Sequence, residues 1–67
     1  MSRRRFTKVL KTLREKRGLT QVEVAKKAKV AQAYLAELER GTKANPSIAI
    51  LKRLAKALKV KVGELLE

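Results

Sequence analysis

Apolar residues along this chain recur at helical spacing. Phe6, Val9, Leu10 and Leu13 fall at i, i+3, i+4 and i+7, which predicts a first helix with one apolar stripe. Gly18 follows Arg14, Lys16 and Arg17 and ends that helix, since glycine accepts the left-handed cap and cations suit a helix's negative end. Thr20-Gln21-Val22-Glu23 then reads as a capping box, in which Thr20 and Glu23 satisfy orphan amides reciprocally. A second helix starts there, with Val24, Ala25 and Ala28 inside and Lys26 and Lys27 outside. The phase breaks around Lys29-Val30-Ala31. A third helix resumes, turns Leu35 and Leu38 inward and stops at Gly41. Residues 41 to 46 form a polar turn, because the residue before Pro46 is pushed out of the helical region. Ser47 is placed to cap a fourth helix whose stripe is Ile48, Leu51, Leu54, Ala55 and Leu58. Val62, Leu65 and Leu66 predict a short terminal helix or turn. Strand signals are nearly absent, and no repeat or linker divides the series. Residues 1–67 read as one compact, all-α domain of about five helices, with residues 1–5 as a basic N-terminal arm.

Composition narrows the chemistry. A chain of 67 residues buries only about 60% of its unfolded surface, so the core must stabilise it unaided or with a partner. Cysteine, histidine and aspartate are all absent, leaving six glutamates as the side-chain carboxylates. That removes disulfides, makes a metal site or cofactor unexpected, and strips acid–base and nucleophilic catalysis to Glu, Lys, Tyr and Ser with no visible pairing. No enzyme is expected. The net charge of +12 predicts affinity for polyanions: nucleic acid, an acidic membrane face or an acidic protein. No apolar run approaches the roughly 18 residues of a membrane span. Arg3, Arg4 and Arg5 lack the apolar stretch of a signal peptide behind them, so the expected compartment is the cytoplasm, at the nucleoid. A basic peptide lying on a membrane is disfavoured by several capped helices sharing one core.

Two short helices joined by a three- or four-residue turn, over about residues 20–41, have the helix-turn-helix layout, in which the second helix can enter a major groove. The letters carry more. Leu13-Arg14, Gly18-Leu19-Thr20-Gln21, Glu23-Val24-Ala25, Tyr34-Leu35, Leu38-Glu39-Arg40-Gly41, Asn45-Pro46-Ser47, Leu54-Ala55-Lys56-Ala57-Leu58 and Glu64-Leu65-Leu66 follow one another in an order that resembles the lambda Cro and repressor family. The resemblance covers roughly residues 6 to 66. It implies a five-helix domain, two-fold dimers on operator DNA and a role in transcriptional regulation. It also implies that Gln21 bonds a phosphate, that Gln32, Ala33 and Glu37 face base edges with Ala36 near them, and that Arg40 and Lys43 approach the backbone. Arg14 and Glu39 match a structural salt bridge between the first and third helices.

The chemistry of these side chains sets what each can do. Glutamine pairs bidentately with adenine, so Gln32 is the best base reader available. Ala33 and Ala36 offer only apolar contact, for instance with a thymine methyl. Glu37 can accept from cytosine N4 but repels phosphates, and it can equally pair with Arg40 along the helix. Tyr34 either packs against the second helix or donates to a phosphate. Residues 31–41 carry one arginine against two glutamates, a net −1, whereas residues 1–17 carry eight cations against one glutamate, a net +7. Such a distribution favours positioning on phosphates over rich base readout. Lys8, Lys11, Lys16, Lys52, Lys56 and Lys61 read as solvated faces.

Three positions depart from the family pattern. Lys29 and Lys59 stand where glycine is usual, and Ala31 stands where a hydroxyl cap is common. A lysine at positive φ costs about 1 kcal/mol or more relative to glycine, of which the helix dipole returns a few tenths. With no separate oligomerisation domain, dimerisation is expected around Val60, Val62, Leu65 and Leu66. The competing reading is a basic interaction module, either an antitoxin-like binder of a toxin or other protein partner, or a nonspecific nucleic-acid binder.

Overall fold

The computed structural model describes residues 3–42 and 46–66. Among these residues the chain forms five helices and no strand: α1 (Arg3–Lys16), α2 (Gln21–Ala28), α3 (Gln32–Arg40), α4 (Ile48–Leu58) and α5 (Val62–Leu66). The first helix starts earlier than its apolar stripe. The backbone of Arg3 to Arg5, expected as an arm, is helical; arginine is a good helix former and nothing before Phe6 breaks the run.

Each of the first four helices ends in the same way. A residue just past the helix adopts the left-handed conformation, and the N–H after it reaches back five residues. Leu19 N donates to Arg14 O, Val30 N to Ala25 O, Thr42 N to Glu37 O and Val60 N to Ala55 O, all at 2.9–3.1 Å. Gly18 (φ 68°) and Gly41 (φ 80°) hold two of these positions at little strain. A Cβ on Gly41 would also stand 3.4 Å from the Thr7 hydroxyl. Lys29 (φ 57°) and Lys59 (φ 58°) hold the other two, as the sequence implied. Their strain is tolerated because the residue after each, Val30 and Val60, packs against the core and pins the turn.

The starts are less uniform. Thr20 Oγ1 accepts from Glu23 N at 3.1 Å while Thr20 N donates to Glu23 Oε1 at 2.8 Å, which completes the capping box. The backbone N–H of Thr20 holds the Glu23 carboxyl below its usual range. Ser47 Oγ accepts from Ile50 N at 3.2 Å at the start of α4. Ala31 precedes α3 with no side-chain hydrogen bond.

Packing follows the periodicity. Phe6, Leu10, Val24, Ala25, Ala28, Leu35, Leu38, Leu51, Leu54, Ala55, Ala57, Leu58 and Leu65 form one buried cluster. α2 lies against α4 and α3, α3 against α1, and α5 closes the ring by touching both α4 and α1. Two expectations need correction. Ile48, assigned to the inner stripe, is 62% exposed. A helical side chain leans towards the N-terminus, so the first residue of α4 projects beyond the helix, where Pro46 is already buried. Leu65, assigned to a dimer contact, is fully buried within the protomer, because it is the main apolar anchor that holds five-residue α5 against α1 and α4.

The missing cap on α3 has a measurable consequence. Ala31→Ser is expected to stabilise the domain by about 1 kcal/mol, read as a higher urea midpoint at unchanged slope. An unchanged midpoint would mean that the first-turn amides of α3 gain nothing from a hydroxyl.

Candidate nucleic-acid interface

The relative placement of α2 and α3 rests on one carboxylate. Glu39, near the C-terminus of α3, has a side chain only 4% exposed. Its Oε2 accepts from Arg14 Nε at 2.7 Å, and its Oε1 accepts from Arg14 Nη2 at 3.0 Å and from Gln21 Nε2 at 3.1 Å. The remaining fork of Arg14 donates through Nη1 to Leu19 O at 2.9 Å. One bidentate ion pair therefore ties α1, the α1–α2 turn, the first residue of α2 and the end of α3 together. The hydrogen bond from Glu39 holds the Arg14 guanidinium still more firmly protonated than an ordinary arginine, against the opposing effect of burial. Thr7 Oγ1 adds a second α1–α3 tie by donating to Leu38 O at 3.0 Å.

This network revises the reading of Gln21. The family resemblance implies an amide aimed at a phosphate, but one N–H of Gln21 is held by Glu39. A primary amide has two donors, so one N–H is left for an external acceptor. The residues are 18 apart in sequence, and nothing local signals their meeting.

With Leu35, Leu38 and Glu39 turned inward, the opposite side of α3 presents Gln32, Ala33, Ala36, Glu37 and Arg40. At 3.6 residues per turn these five lie within an arc of about 140°. Gln32, Ala33 and Arg40 are exposed, and Ala36 and Glu37 are half-buried. No ion pair joins Glu37 to Arg40. Tyr34 lies beside this arc, half-buried and packed against the core, so its ring serves packing. Lys43 falls outside the described residues. The cations that face one another lie elsewhere: Lys27, Lys29, Arg53, Lys56 and Lys59 line a cleft between α2 and α4. From the sequence, Lys56 reads as part of a solvated face and Lys27 as the outside of the second helix, Lys29 and Lys59 stand out only as glycine-favouring positions, and nothing singles out Arg53.

Two short helices held at a fixed angle, the second offering an outward stripe of short and polar side chains, define a helix-turn-helix domain. The chain belongs to the helix-turn-helix family, whose model matches residues 10–65. It is 43% identical over 54 residues to the immunity repressor protein of Bacillus phage phi105, a match covering 81% of this chain and 37% of that one. It is 40% identical over 58 residues to the HTH-type transcriptional regulator SinR of Bacillus subtilis (strain 168), over 87% of this chain and 52% of that one. Among solved structures, the master regulator for biofilm formation SinR in complex with DNA superposes with a TM-score of 0.88 at 37% identity, covering 92% of this chain and 98% of that one. The chain spans about half or less of the length of these two curated regulators.

Removing the carboxylate should expose how much rests on it. Glu39→Ala leaves a largely buried guanidinium unpaired, which is expected to cost about 3–5 kcal/mol. That approaches the whole stability of a domain this size, about 3–10 kcal/mol. Arg14→Met combined with Glu39→Leu should recover most of the loss, since an apolar pair carries no desolvation cost. Urea unfolding of both variants checks this; a mild effect of Glu39→Ala would show the bridge to be peripheral.

Proposed function

We propose that this chain is the DNA-binding unit of a transcriptional regulator, binding operator duplex as a dimer with α3 in the major groove. The observation that carries the reading is the outward arc of α3. Its residues have no role in the core, while the helix beneath them is fixed by the Arg14–Glu39–Gln21 network. The relatives support it, being a phage repressor and a regulator solved with DNA. In this reading Gln32 reads a base edge, Ala33 and Ala36 permit close approach, and Glu37 selects against bases that present an acceptor there. Arg40, Lys43 and the free N–H of Gln21 contact the backbone, with Tyr34 supporting α3 from below. The chain acts by binding rather than by catalysis, where the chromosome lies, in the cytoplasm. Leu66, 39% exposed, with the half-buried Val60 and Val62, is what remains of the expected dimer surface after Leu65 is assigned to the core.

One feature favours a second reading. The net −1 of residues 31–41 suits a module that holds duplex through flanking cations, or that meets a protein partner such as a toxin, with little base readout.

Selection from a random duplex library at 50 and 200 mM salt separates the two. The regulator reading expects a recovered site with two-fold symmetry and half-sites about 10 bp apart, one helical turn. It also expects affinity to fall about 10³-fold between the two salts, as for six phosphate contacts. Salt-sensitive binding with no recovered consensus would favour the basic module, and no retained duplex at 50 mM would end both DNA readings.

Gln32→Ala gives the residue-level test. It is expected to relax preference at one base position by about 1–3 kcal/mol, whereas Arg40→Ala should weaken all sequences alike. Competition binding against single-position operator variants measures the difference; an unchanged profile for Gln32→Ala would place the reading face elsewhere.

A further inference from the structure

The α2–α4 cleft has a volume of about 400 Å³, and its lining is Lys27, Lys29, Arg53, Lys56, Ala57 and Lys59. A second depression of about 170 Å³ shares Lys27, Ala57 and Lys59 with it and continues the basic lining to Arg17. No residue of α3 and no carboxylate lines either one. Five cations gathered around one cleft repel one another and gain nothing from each other, so this arrangement destabilises the free domain.

The backbone adds a second observation. Lys29 and Lys59 are the two non-glycine residues at positive φ among those described, and both line this cleft. Glycine would close either turn with less strain and without a charge. Strained residues of this kind gather where a ligand is clamped. Here the strain and the repulsion fall on the same surface, and a polyanion would offset the repulsion.

The lining also restricts the ligand. It has no aromatic ring to stack a base and no amide or hydroxyl to read one, so only charge is recognised. The cationic lining runs on from the larger depression into the smaller, which suits the backbone of a polymer better than a compact phosphate. We propose that the α2–α4 cleft is a second nucleic-acid contact, binding the phosphate backbone of a duplex segment other than the one facing α3. One domain would then hold two duplex segments together. The inference rests on the reading of the chain as a DNA binder.

The test uses the full chain and two generic 20-bp duplexes. One is immobilised on beads and saturated with protein; the second is fluorescent and is added after washing. Wild type is expected to capture the second duplex. Lys29→Gly combined with Lys59→Gly should capture about 10-fold less, having lost two phosphate contacts, while melting at a higher temperature and still loading on the first duplex. A charge-matched control, Lys8→Gln with Lys11→Gln on the exposed side of α1, should retain capture. Equal loss in both variants would reduce the effect to net charge and overturn the site, as would undiminished capture by the glycine variant. Loading without capture by wild type would overturn the second site and leave the first intact; no loading at all would remove the DNA-binding reading with it.

Discussion

The fold turns on a buried carboxylate. Apolar contacts are non-directional and would hold five small helices together in several nearby arrangements. Glu39 does not allow that freedom. Its charge is out of water and tolerable only while Arg14 and Gln21 donate to it in directed bonds of 2.7–3.1 Å. Those donors come from α1 and α2, so any slippage of either helix against α3 strands a charge. The leucines make the domain collapse; the ion pair chooses the angle at which α3 meets solvent.

That division extends to the surface. The exposed arc of α3 carries no net charge, Glu37 standing against Arg40, and most of the cations sit on the elements around it. On the proposed reading, α1, α2 and α4 supply most of the charge that orients the domain over a polyanion, while Ala33 and Ala36 leave α3 room for close approach. The charge distribution and the packing agree in treating α3 as the element to be presented rather than the element that holds on.

Much of this was legible in the chain. Glycine, threonine and serine marked the helix ends because capping is local, set by residues a few positions apart. The buried faces of α2 and α3 were legible for the same reason, as 3.6-residue periodicity. The misreadings arise where periodicity ends. Ile48 fits the phase of its stripe, but phase does not say that a helix has no neighbour beyond its first turn. Leu65 and Leu66 look alike in a five-residue helix, and only the presence of α1 decides which of them is buried. Gln21 meeting Glu39, and Lys29 and Lys59 meeting Arg53, are tertiary events between distant segments. The Arg14–Glu39 contact is equally distant, and family resemblance alone made it visible in advance.

The repeated helix ending described above bears on how the chain reaches its fold. Leu19, Val30 and Val60 each follow a left-handed residue and pack on the core, so three corners are closed by groups only five residues from the carbonyl they bond. Each corner can form before anything distant is in place, and the loop-closure entropy it must overcome is small. Only the meeting of α1 with α5 requires the whole chain. The most extensive pairing, α2 with α4, skips only one helix, and a small all-helical fold of this kind belongs with those that form in roughly microseconds to milliseconds, which leaves little time for exposed apolar surface to find another molecule.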